Sequence, residues 1–271
     1  LTRSGVVQSV HAFAEGNIGP LFLGYLILLI VLGFGLVFYR RRELRSENYI
    51  QSYFSREAAF LFNNLVLLAN LFATLWGVMF PVISEAFGYQ KSVVGPPFFN
   101  RVNGPLFLFL LLLMACGPLI AWRRSSWASF FRLARATFFI ASLVLLGFFV
   151  FDPSRPGAAL GFGLGVLVIG VVGAEFHRAA RVRRGLVEQS YAGALVQVIK
   201  TKPARYGGYL VHLGVGVMAI AITGATVYKI ERDFVLAPGE RLEVGRYALE
   251  LTDITQSDKG NYSALHAQVK V

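Results

Sequence analysis

The sequence predicts an all-α integral membrane bundle of about six transmembrane helices, followed by a small, truncated β-rich extracytoplasmic domain. Three observations predict it. Six stretches are long and apolar enough to cross a bilayer, which takes about 20 residues. Basic residues crowd into alternate connections between them. Beyond Phe234 the hydrophobic period changes from helical to alternating. The composition agrees: 55% of the 271 residues are hydrophobic and 15% charged, where a soluble domain carries about 25% charged residues.

The six stretches are Ile18–Tyr39, Ala58–Ile83, Pro105–Trp122, Ala134–Phe151, Gly157–Phe176 and Tyr206–Tyr228. The second holds Asn63, Asn64, Asn70 and Pro81 and reads as one tilted or kinked span. The connections after the first, third and fifth stretches hold 16 of the 26 Lys and Arg residues and only five acids. The other side balances near zero, so the whole net charge of +11 lies on one face. Loop arginines mark the cytoplasmic side, which predicts a multi-pass protein with both ends extracytoplasmic. The same bookkeeping removes the motive for a nucleic-acid partner.

The domain boundaries follow. Residues 1–17 form an extracytoplasmic segment, 18–228 the six-span domain and 229–271 the β-rich domain. Within the second, Arg181–Ile199 places Val187, Tyr191, Ala194, Leu195 and Val198 on one stripe, which predicts a helix lying in the cytoplasmic interface. In the third, Arg241–Leu251 and Ser263–Val271 alternate, with a turn at Pro238-Gly239. Both ends read as cuts in a longer polypeptide, since the chain starts at Leu1 and stops inside a strand.

Few residues can carry chemistry. One cysteine, Cys116, excludes an internal disulfide or a zinc cluster. There is no GxxxxGK[ST], HExxH or GxSxG, so nucleotide and hydrolytic chemistry lack support. Of four histidines, His212 stands out, because it lies roughly 10 Å inside the last span, counted from Arg205 at about 1.5 Å per residue. Intramembrane ionisable groups are costly and need a partner. Small residues, Gly208, Gly216, Ala219 and Thr223, share its helix face. They leave room for a flat ligand or for a neighbouring helix, so a haem ligand and a hydrogen-bonding histidine both remain open. His11 precedes the first span on the outer side. His177 and His266 read as solvated. Asn63 and Asn64 match His212 in depth and could orient a ligand, although interhelical hydrogen bonding is the commoner use. Val94-Gly95-Pro96-Pro97-Phe98-Phe99-Asn100 reads as a non-helical aromatic shelf at the outer surface, since paired prolines do not continue a helix.

Three patches resemble the CcmF family, the large membrane subunit of bacterial cytochrome c haem lyase. They are Leu1-Thr2-Arg3-Ser4-Gly5 with Ser9-Val10-His11-Ala12-Phe13, Asn63-Asn64-Leu65 with Gly95–Asn100, and Arg205-Tyr206-Gly207-Gly208-Tyr209 with His212-Leu213-Gly214-Val215. The match runs to about Tyr228 and covers the C-terminal part of such a protein. The resemblance implies that His212 ligates a structural haem b. It implies that His11 ligates a second haem, delivered by the carrier CcmE. The thiols of a CxxCH motif in apocytochrome c, presented by CcmH/CcmI-type partners, then add across the haem vinyls. Beside that resemblance, the Phe98-Phe99 shelf could cover a porphyrin or simply anchor the chain at the interface, and Asn63 and Asn64 could donate to a cofactor's carboxylates. The family's tryptophan-rich segment and first pair of histidines would precede Leu1, so the N-terminal part is an expected partner. Rival readings are a haem exporter or transporter and an assembly scaffold that binds no haem.

Overall fold

The computed structural model describes residues 18–45, 50–89, 94–229, 231, 234–245, 247–258 and 263–271. Among them are helices α1 (Ile18–Tyr39), α2 (Arg56–Ala86), α3 (Pro96–Cys116), α4 (Trp127–Phe151), α5 (Pro156–Leu186), α6 (Tyr191–Thr201) and α7 (Pro203–Val227). Strands β1 (Arg241–Val244), β2 (Tyr247–Asp258) and β3 (Ser263–Lys270) follow. All of these helices except the short α6 are long and apolar enough to cross a membrane. Contacts divide the chain into two units, Leu1–Thr223 and Gly224–Val271.

Apart from α1, which starts at Ile18 as expected, the spans begin earlier than the apolar pattern suggests, because caps and prolines start helices before hydrophobicity does. The Ser55 and Ser126 hydroxyls accept from the backbone N–H groups of Ala58 and Ser129, each satisfying a donor that the first turn leaves free. Pro96 and Pro97 open α3, and Pro156 opens α5. This corrects the expected non-helical shelf. Proline blocks a helix interior, yet at the first position its missing N–H is one that needs no partner. Phe98 and Phe99 therefore sit on the first turn of α3, their rings edge-on with centroids 5.4 Å apart. They fill the space over Gly77 of α2, where a Cβ would lie 2.7 Å from the Phe99 ring. Asn103 of α3 donates to the Thr74 hydroxyl of α2 at 3.0 Å.

At the arginine-rich end, Arg56 joins the start of α2 to the end of α3. Its Nε donates to the Ile120 carbonyl at 3.0 Å and its Nη2 to the Pro118 carbonyl at 3.1 Å. A cation suits carbonyls left over at a helix C-terminus. Phe54 stacks on Trp127 beside it, centroids 3.9 Å apart.

Helix α5 is the hub. On one side Gly163 admits Leu145 of α4, and Gly170 admits Thr137. On the other, Gly161 and Gly165 admit Thr223 and Ile220 of α7, while Gly216 of α7 comes to rest over the Gly165 carbonyl. Helices in lipid gain little from hydrophobicity against one another, so close backbone approach at small residues carries their association. The interface helix at 181–199 needs correction. Residues 181–186 continue α5, Val187 is extended, and Ser190 caps a separate α6 by accepting from the Gly193 N–H at 3.1 Å. Ala194 and Val198 of α6 are buried.

The second unit is an antiparallel meander in the order β1-β2-β3. The alternating segment Arg241–Leu251 holds a hairpin turn: Gly245 adopts φ 62° and Val244 pairs with Tyr247. Only a left-handed backbone closes so tight a turn, and glycine takes it at no steric cost. The turn at Pro238-Gly239 is present, with Gly239 at φ 88°. His266 is exposed, its Nε2 2.9 Å from the Ser257 hydroxyl across the β2–β3 pair.

Candidate functional site

The first turns of α7 meet the last third of α5 in a polar cluster inside an apolar layer. Val172, Val198, Tyr206 and Tyr209 form a buried group there, with Phe176 against it. Into this group α5 projects the Glu175 carboxylate, which is 5% exposed. Unpaired, a carboxylate so placed would be strongly disfavoured. It accepts from Arg178 Nη1 at 2.6 Å, from Arg205 Nη2 at 3.3 Å and from the Tyr209 hydroxyl at 3.3 Å. Sequence reasoning counted Glu175 among the loop acids and missed this cluster. A signal existed: Arg178 follows one turn after Glu175, and Arg205 and Tyr209 stand one turn apart on α7, so each pair shares a helix face.

One turn beyond Tyr209, α7 carries His212. The residue is half-buried. Its Nδ1 is shielded from solvent and has no hydrogen-bond partner. The Gly208 carbonyl belongs to the preceding turn but has no hydrogen-bonding geometry at Nδ1. The small residues on its face serve different ends. Gly216 is closed by α5, whereas a Cβ on Gly207, Gly208 or Gly214 would meet nothing within 4 Å. The imidazole thus stands between a packed turn and a bare one.

The other expected residues lie elsewhere. Asn63 is half-buried and Asn64 exposed on α2, and the contacts of Phe98 and Phe99 described above lie between α2 and α3. The buried asparagine of α2 is Asn70, whose Nδ2 donates to the Val66 carbonyl of the preceding turn at 3.3 Å. His177 is exposed, with its Nδ1 3.0 Å from the Tyr191 hydroxyl, and so links α5 to α6. His11 lies outside the described residues. Cys116 is a free thiol, half-buried at the end of α3. Among the described residues no three of His, Cys, Asp and Glu gather as a metal site.

No family model matches the chain. Curated relatives do. The cytochrome c-type biogenesis protein CycK of Rhizobium meliloti is 34% identical over 97% of this chain and 38% of its own length. The cytochrome c-type biogenesis protein CcmF of Haemophilus influenzae is 28% identical over 100% of this chain and 41% of its own length. That of Escherichia coli is 29% identical over 97% and 38%. A solved structure described as cytochrome c heme lyase CcmF superposes with a TM-score of 0.65 and 26% identity, covering 94% of this chain and 37% of that one. The chain thus spans about two fifths of the length of the relatives it matches, as the resemblance to their C-terminal part implies. The chain belongs to the CcmF/CycK family of cytochrome c-type biogenesis proteins.

Proposed function

We propose that this chain forms the haem-holding C-terminal part of a cytochrome c haem lyase. The observation that carries the reading is the His212 imidazole, set within a membrane span with a shielded, unpartnered Nδ1 and a bare glycine turn beside it. These residues fit a haem. A neutral imidazole is a good axial ligand, and the open Gly207-Gly208 surface leaves space for a flat ring. When bound, haem b supplies a redox-active iron. His212 holds that iron, and the α5 contacts at Gly216 fix the helix that presents it.

His11 serves the second, delivered haem, which is substrate. The reaction adds each cysteine S–H of an apocytochrome CxxCH across a haem vinyl, forming one C–S bond per vinyl. Catalysis rests mainly on positioning. Asn63 and Asn64 offer donors from α2 at the depth of His212, and Phe98 and Phe99 offer an apolar wall towards the opposite, outer end of α2. CcmE brings the haem, CcmH/CcmI-type partners present the thiols, and the family's N-terminal part contributes the second haem b ligand. The arginine-rich end faces the cytoplasm of a bacterial inner membrane.

The test is the yield of thioether-linked cytochrome in membranes supplied with haem, carrier and apocytochrome. For His212→Ala the expected yield falls at least tenfold, while the protein remains in the membrane. An unchanged yield contradicts the reading. Haem crossing the bilayer with no thioether product would mark an exporter instead.

A further inference from the structure

Arg205 and His212 are seven residues apart on α7. A heptad falls about 20° short of two full turns, so both side chains leave the same face, separated by about 10 Å along the axis. Between them on that face lies Gly208, with open space where its Cβ would be. Gly208 thus leaves a bare strip of backbone between the guanidinium and the imidazole, alongside the buried Tyr209.

The charge at this end is unbalanced. Glu175 is one carboxylate shared by two arginines, Arg178 and Arg205. Arg205 spends only Nη2 on Glu175 and Tyr209. Its Nε and Nη1 make no hydrogen bond among the described residues, and its side chain is 49% exposed. It is also held in place, with its guanidinium carbon 5.8 Å from the Tyr206 ring centre and 5.7 Å from that of Tyr209. A long cation at a span end would otherwise turn towards the water. Here a buried acid and two rings hold it beside the strip that leads to His212.

A planar guanidinium with free donors suits a carboxylate, which it can grip with two parallel hydrogen bonds. Haem carries two carboxylates on one edge of a flat macrocycle. We propose that Arg205 binds a haem carboxylate of the macrocycle that His212 ligates, an assignment that rests on the haem reading above. Glu175 and Tyr209 then act as positioning residues, holding the guanidinium at the height where that edge arrives.

The experiment titrates haem, and separately haem dimethyl ester, into haem-free full-length protein, reading the Soret band. The expected result is a preference for haem over the ester of at least tenfold in wild type. In Arg205→Gln that preference falls to near unity while the ligated Soret band survives, and Arg205→Lys lies between. Equal wild-type affinity for the two compounds overturns the proposal. So does an undiminished preference in Arg205→Gln, including the case in which only retention of anionic phospholipid changes and the cation serves a headgroup. Absence of any His212-dependent Soret band in wild type would instead remove the haem reading beneath it.

Discussion

Helices α1 and α5 are both apolar enough to span a bilayer, with mean hydropathy 2.8 and 2.1 over their best windows. Half of the α5 window is buried inside the protein and none of the α1 window is. The more hydrophobic helix is the one that faces outward. Hydropathy identifies a span, because lipid demands it, but says nothing of its neighbours. Neighbours are chosen by small residues and by polar groups that must find partners. Helix α5 has both, in its spaced glycines and in Glu175.

Substitution separates the two helices most sharply. Leucine in place of Gly165 would drive into Ile220 and the Gly216 carbonyl, since a Cβ there already lies 2.6 Å from Ile220. The expected cost is about 3 kcal/mol, read as loss of folded protein in a detergent thermal-shift series. Leucine in place of Gly33 of α1, where nothing lies within 4 Å, should move stability by less than about 0.5 kcal/mol. Equal effects would break the comparison.

Glu175→Ala comes next. It removes the group that binds α7 to α5, yet the arginines it abandons are half exposed and can be solvated. The expected loss is about 2 kcal/mol, below the range for a fully buried pair. A neutral outcome would show that the close glycine contacts alone hold α7. Arg56→Ala, which frees two carbonyls beyond α3, should cost about 1–2 kcal/mol. Smallest is His177→Phe. It loses one exposed contact to Tyr191, and a shift above about 0.5 kcal/mol would mean that the α5–α6 link is stronger than its exposure suggests.

The order and number of the spans were legible because each needs a continuous apolar run. Their ends were less so. Ser126 begins α4 seven residues before its apolar core, and Pro96 begins α3 where paired prolines suggested a stop. The hairpin inside Arg241–Leu251 was hidden because β1 and the start of β2 continue one alternating pattern, and Gly245 marks the reversal. The interface stripe at 181–199 crossed a real break, since a periodic pattern persists through a cap such as Ser190. Among the site residues, His212 could be read from its depth. Glu175 was legible only as a local pair with Arg178, because the partner that ties it to α7, Arg205, lies 30 residues away. The contact at Gly161 and Gly165 was not read from the sequence, because glycine spacing alone does not name the helix that packs on it.

The account depends on the His212 imidazole serving iron. The most direct measurement is the Soret band and haem content of full-length His212→Gly protein, with and without added imidazole. The account predicts loss of the ligated band in the glycine variant and its return with free imidazole, which can enter the space the side chain leaves. A glycine variant that keeps wild-type haem content and spectrum without imidazole would contradict it.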